Sequence, residues 1–108
     1  MNRMFVTGDI HGDDNRIESI KNFCKKNNTD LTDIMFVLGD VGANYFFNEK
    51  DIKVKRVLSS CPIKFLCIQG NHEQRVQYIP GYNYFQSNEF GGIWVEYDFP
   101  NLYFLNNG

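Results

Sequence analysis

The chain carries short, mostly apolar runs, each followed by a glycine and a polar residue. Residues 4–7, 34–38 and 63–68 form three such runs, ended by Gly8-Asp9, Gly39-Asp40 and Gly70-Asn71. Runs of this length, bounded by turn residues, predict buried strands. Between the first two runs, Ile17, Ile20, Phe23 and Cys24 recur at helical spacing behind the capping candidates Asp13, Asp14 and Asn15. Lys21, Lys25 and Lys26 fall off that stripe and read as a solvated face, two of them suited to a helix C-terminus. Between the second and third runs, Val54, Val57, Leu58 and Cys61 predict a second amphipathic helix. Lys50, Lys53, Lys55 and Arg56 lie outside its stripe, and Pro62 stops it. The first 70 residues thus read β-α-β-α-β. This is the pattern of an α/β fold with a parallel sheet and right-handed crossovers.

Beyond Glu73 the character changes. Residues 78–108 are rich in aromatics, glycine and asparagine, with extended patches at 93–97 and 102–105 that predict antiparallel strands or loop. Tyr78, Tyr82, Tyr84 and Phe85 read as exposed or interface aromatics, and Trp94 as packing. Asn107-Gly108 is a strong hairpin-turn pair with no returning strand after it. The strand at 102–105 is therefore expected to be left with an unpaired edge. The expectation is a partial domain over residues 1–108, with a motif core at 3–75 and an extension at 76–108. Dimerisation through unpaired strands would make the chain a homo-oligomer.

Composition narrows the function classes. A net charge of −2 gives no overall basic field to recruit nucleic acid or an anionic membrane. The longest apolar run, residues 34–38, is too short to span a bilayer, and the N-terminus lacks the apolar stretch of a signal peptide. A cytoplasmic protein with no membrane partner is expected. Cys24, Cys61 and Cys67 form no CxxC pair and read as small buried hydrophobes in a reducing compartment.

The chemistry sits where the predicted strands end. In open α/β sheets, ligands bind outside the carboxyl ends of the strands, and Asp9, Asp40 and Asn71 stand there at equal spacing. Two residues apart in extended backbone, Asp9 and His11 face one side and suit a single metal ion. Asp40 can bridge two ions, Asn71 offers a neutral amide oxygen to the second, and His72, one residue on, faces the substrate. Convergent carboxylates without a cation repel one another and lose hydration, so the cluster calls for divalent ions. The mixed donors suit manganese, iron or zinc. Two such ions about 3.5–4 Å apart are a known device for phosphate chemistry. A nearby imidazole, His72, can then protonate the leaving alkoxide.

Gly8-Asp9-Ile10-His11-Gly12, Gly39-Asp40 and Gly70-Asn71-His72-Glu73 resemble, in order and spacing, the three N-terminal motifs of the calcineurin-like phosphoesterases. The resemblance covers residues 3–75 and implies the first half of an α/β/β/α metallophosphoesterase sandwich. It implies that Asp9, His11 and Asp40 bind one metal ion and Asp40 and Asn71 the other. His72 would be the catalytic acid or a contact to the substrate phosphate. The family's second half supplies further histidine ligands, whereas His11 and His72 are the two histidines of this chain. The motifs also resemble those of protein serine/threonine phosphatases and diadenosine tetraphosphate hydrolases, which carry Asp-Arg-Gly shortly after the second motif. Here Asp40 is followed by Val41-Gly42-Ala43-Asn44-Tyr45-Phe46. That departure disfavours a phosphoprotein and leaves a small phosphoester or nucleotide as the expected substrate, with Asn44 or Arg75 as phosphate contacts. Glu73 is either a hydrogen-bond partner of His72 or a loop carboxylate facing water. Two function classes follow: a metal-dependent hydrolase of phosphomonoesters or phosphodiesters, and a catalytically incomplete fragment or metal-binding interaction module.

Overall fold

A computed structural model describes residues 2–8, 10, 13–38, 49–68, 79–88 and 90–105. Six strands and two helices follow in the order β1 (Met4–Thr7), α1 (Asp14–Asn27), β2 (Ile34–Val37), α2 (Glu49–Ser60), β3 (Lys64–Cys67), β4 (Tyr82–Ser87), β5 (Gly91–Glu96) and β6 (Leu102–Leu105). They form one mixed sheet in the order β1-β2-β3-β6-β5-β4. The first three strands are parallel, as the β-α-β-α-β reading requires. Met4 stands beside Ile34 and Ile34 beside Lys64, so each crossover advances the chain by thirty residues at constant register.

Helix α1 begins where its capping residues predict. The Asp13 carboxylate accepts from the Asn15 amide at 2.8 Å, and the Asp13 amide donates to the Ile10 carbonyl at 3.0 Å. The helix ends at Asn28, whose left-handed backbone (φ 49°, ψ 51°) turns the chain, with the Thr29 amide donating to the Cys24 carbonyl at 3.1 Å. Ile17, Ile20 and Cys24 are buried as their spacing predicts. Phe23 meets Phe5 of β1 edge-on, ring centroids 4.8 Å apart. Such a pair contributes about 0.5–1.5 kcal/mol beyond its buried area. Lys21, Lys25 and Lys26 are exposed, as expected of a solvated face.

Alternation along the strands gives the sheet two unlike faces. Phe5, Met35, Phe65 and Leu102 share one row, and Val37, Cys67 and Phe104 another. These rows meet Ile17, Ile20 and Cys24 of α1 and Val54 and Leu58 of α2 in a single core. Two crossovers of the same hand between successive neighbouring strands bring both helices to this face. The opposite face carries Leu66 and Ile93, both buried, and Met4, Val6 and Phe85, which are exposed. Among the described residues, no helix is long and apolar enough to cross a membrane.

Three expectations need correction. Residues 102–105 form β6 as expected, but not with an unpaired edge. The strand lies inside the sheet, parallel to β3 on one side and antiparallel to β5 on the other. Asn101 seats it there: its side-chain amide donates to the carbonyls of Cys61 (3.1 Å) and Ile63 (2.8 Å), and its side-chain oxygen accepts from Ser59 at 2.7 Å. Residues 82–87, read only as aromatic surface, form β4 in a hairpin with β5. Within it Tyr82 is buried and edge-on to Phe104, while Tyr84 meets Trp94 edge-on and stays half exposed. Third, Lys55, which lies outside the apolar stripe of α2, is not left to solvent. It is buried, and its ammonium reaches Glu96 of β5 at 2.5 Å over the rings of Tyr82 and Phe99. Helix α2 lies across the added strands, which cover a side of it that the local pattern marks as polar.

Candidate metal centre

The candidate centre is a rim made by the carboxyl ends of β1, β2 and β3. Thr7, Val37 and Cys67 are direct neighbours across these strands. The ladder continues one step beyond each pair: the Leu38 amide donates to the Thr7 carbonyl and the Ile68 amide to the Val37 carbonyl, both at 3.0 Å. Strands in a sheet lie about 4.8 Å apart, so the three chain exits stand within roughly 10 Å of one another. From this common line the motif residues follow after two, three and four positions: Asp9 after Thr7, Asp40 after Val37, Asn71 after Cys67. The polar loops thus start from adjacent points of one edge, and each strand contributes one.

Local features shape the rim. Ile10 is buried in the core at 1% exposure, between Asp9 and His11 in sequence. The φ of Gly8 is not in the left-handed region, and a Cβ built there meets nothing within 4 Å among the described residues. The Asp13 amide donates to the Ile10 carbonyl just ahead of α1, and the first turn of that helix carries Asp14. In a parallel βαβ unit the helix runs back against its strands. The N-termini of α1 and α2 therefore lie at the same end of the sheet as the rim, and bring the partial positive charge of unpaired amides towards it.

Asp9, His11, Asp40, Asn44, Asn71, His72 and Arg75, and Glu73 with them, all lie outside the described residues. Among the described residues, no three His, Cys, Asp or Glu side chains group to hold a metal ion. Two described ion pairs, Arg3–Asp33 and Lys55–Glu96, serve the framework instead. Asp33 is buried and accepts from the Arg3 backbone amide at 2.9 Å and from the Arg3 guanidinium at 3.0 Å. That guanidinium holds the Asp33 carboxyl well below the usual carboxylate range. This pairing lies at the amino end of β1 and β2, opposite the rim. Sequence reading takes residues 27–33 as a polar connection and misses it, because nothing local marks Asp33 as the aspartate that turns inward.

A family model described as calcineurin-like phosphoesterase matches the chain over residues 3–108. No curated protein and no solved structure gives a significant match.

Proposed function

Because the chain belongs to the calcineurin-like phosphoesterase family, we propose that it hydrolyses a phosphomonoester or phosphodiester at the rim of β1, β2 and β3, with two divalent metal ions. The family match, which spans nearly the whole chain, carries this reading. The register of the three strand ends supports it, since the loops bearing the motif residues leave adjacent points of one edge.

The donor set fits manganese, iron or zinc: carboxylates from Asp9 and Asp40, an imidazole from His11 and an amide oxygen from Asn71. Asp9, His11 and Asp40 would hold one ion, and Asp40 and Asn71 the other. When bound, the ions supply charge stabilisation at the phosphoryl oxygens and a more acidic water. His72 is assigned to donate a proton to the leaving-group oxygen, a role an imidazole can fill. Asn44 and Arg75 are assigned to contact the phosphate. Absence of the Asp-Arg-Gly segment after Asp40 favours a small phosphoester or a nucleotide over a phosphoprotein.

The test offers the purified chain p-nitrophenyl phosphate and bis-p-nitrophenyl phosphate with manganese. Turnover that falls about a hundredfold or more in Asp40→Asn is the expected result. Manganese binding with no turnover of either ester would instead identify a metal-binding module without catalysis.

A further inference from the structure

Strand β1 is an outer strand of the sheet, and among the described residues it pairs with β2 alone. The Arg3 carbonyl accepts from the Ile34 amide at 2.9 Å and the Thr7 carbonyl from the Leu38 amide at 3.0 Å, so Arg3, Phe5 and Thr7 turn their backbone groups towards β2. Backbone groups alternate in direction along a strand. The amides and carbonyls of Met4 and Val6 therefore point away from the sheet. Their side chains stand on the face away from the helices, each at 65% exposure. Residues 4–7 carry no proline and no charge, two devices that commonly protect such an edge.

Beside this edge, between β1 and α1, opens a cleft of about 480 Å³. Clefts that hold ligands range over about 300–1,000 Å³. Its wall is apolar: Ile20 and Met35 are buried, and Phe5 and Phe23 are half-buried. Arg16 of α1 is the one cation among the described lining residues. It is exposed, with no ion pair or hydrogen bond among the described residues. Asp13, Asp14 and Glu18, the carboxylates nearest to it in sequence, are not part of the lining. Helix α1 runs back against β1 and sets Phe23 against Phe5, so Arg16, two turns earlier, stands towards Thr7. The cleft thus has an apolar stretch beside Phe5 and a positive end beside Thr7.

We propose that β1 accepts an added strand from a partner protein: an extended peptide carrying one large apolar side chain and an acidic side chain two positions from it. Its backbone bonds to the outward amides and carbonyls of Met4 and Val6, the mode by which extended peptides lengthen an exposed sheet edge. Side chains two positions apart face the same side of a strand. The apolar one lies beside Phe5 among Ile20, Phe23 and Met35, and the carboxylate reaches Arg16. Backbone bonds supply affinity, while the apolar wall and Arg16 select the sequence. A second copy of this chain suits the cleft less well, because its own β1, Met-Phe-Val-Thr, offers Arg16 no carboxylate.

The test follows the fluorescence anisotropy of a labelled peptide, Thr-Glu-Thr-Leu-Thr-Glu-Thr blocked at both ends, as the full chain is added. Its symmetry presents the leucine with a glutamate two positions away in either direction along β1. Saturable binding at submillimolar concentration is expected, and its absence overturns the proposal. Lysine in place of both glutamates, or Arg16→Ala in the chain, should weaken binding about threefold to fivefold, the size of one exposed ion pair. Equal binding in both cases overturns the acidic ligand class. N-methylation of the leucine and its two neighbouring threonines should cost about tenfold, one or two net hydrogen bonds; undiminished binding overturns strand addition. Hydrogen exchange locates the contact: the Met4 and Val6 amides should slow in the complex, and protection of β4, the other outer strand, in their place overturns the site. A dimer seen by light scattering that the peptide fails to displace would give the edge to a second copy and overturn the stated partner. None of these readouts depends on metal or turnover, so they stand apart from the phosphoesterase reading.

Discussion

Arg3 and Asp33 show how one buried carboxylate can organise the end of a sheet. The Asp33 oxygens accept from the Arg3 amide and guanidinium and from the Asp30 amide at 3.0 Å, while the same guanidinium reaches the Asn27 carbonyl at 2.9 Å. The start of β1, the end of α1 and the turn before β2 are thereby tied through one side chain. Because the guanidinium lowers the folded-state pKa of Asp33, the charged form is favoured by folding. Its contribution to stability is fully present above the ordinary aspartate value of about 3.9 and is lost as pH falls through the lower folded value. Asp33→Asn should therefore lower the melting temperature by several degrees at pH 7. The gap to the unaltered chain should narrow as pH is taken below about 4. Melting curves by circular dichroism across that range check this, and a gap that stays constant with pH would show that the charge of Asp33 is not what matters. Sequence reading located this aspartate in a polar connection but gave no sign of its burial. Its partner is thirty positions away, and only the pairing of β1 with β2 brings the two together.

At the scale of elements, β6 is the informative case. Four apolar residues after Pro100 mark a strand, and the strand is there. What pairs with it is decided by Asn101 and by the core. The Asn101 side chain bonds to the chain just before β3, and the Asn101 carbonyl accepts from the Phe65 amide at 2.8 Å. Phe104 then lies at 1% exposure in the same core as Phe65, Leu58 and Tyr82. A strand with a free edge tolerates truncation of such a residue far better than an interior one. Phe104→Ala should cost about 3–5 kcal/mol, measured by urea denaturation. A loss below about 1 kcal/mol would put β6 back at the edge of the sheet. The hairpin of β4 and β5 was legible only in part. Residues 93–97 carry the apolar residues of a strand, whereas Tyr82, Asn83, Tyr84, Phe85 and Gln86 mix aromatic and polar side chains on an outer strand with one partner. Outer strands need little apolar content, so the composition of this one resembled surface.

For the molecule as a whole, family membership sets the expectation that folding and metal binding are linked. Ligands that bind only the folded chain raise its stability by mass action, by about 2.7 kcal/mol at a hundred times the dissociation constant. If Asp9, His11, Asp40 and Asn71 act as one centre, millimolar manganese should raise the melting temperature by several degrees, and Asp40→Asn should abolish most of that rise. Calorimetry with and without manganese checks it; an unchanged melting temperature would count against a usable centre at this rim. The framework supports convergence because β1, β2 and β3 end in register. Equal spacing of the three motifs along the chain is the linear trace of that register, with two crossovers of the same length.

The chain's own pattern determined the three parallel strands, both helices with the cap at Asp13 and the stop at Pro62, and the residue types that can carry phosphoester chemistry. All of these depend on interactions between near neighbours in sequence or on the repeat of a single βαβ unit. Tertiary structure decided the position of β6 inside the sheet, the hairpin of β4 and β5, and the buried pairs Lys55–Glu96 and Arg3–Asp33. The two buried pairs join residues 30 and 41 positions apart, and the other features add a strand by pairing. Such contacts arise only when β1 pairs with β2 and α2 crosses the late strands, and no local spacing in the chain encodes which side chain will be covered there.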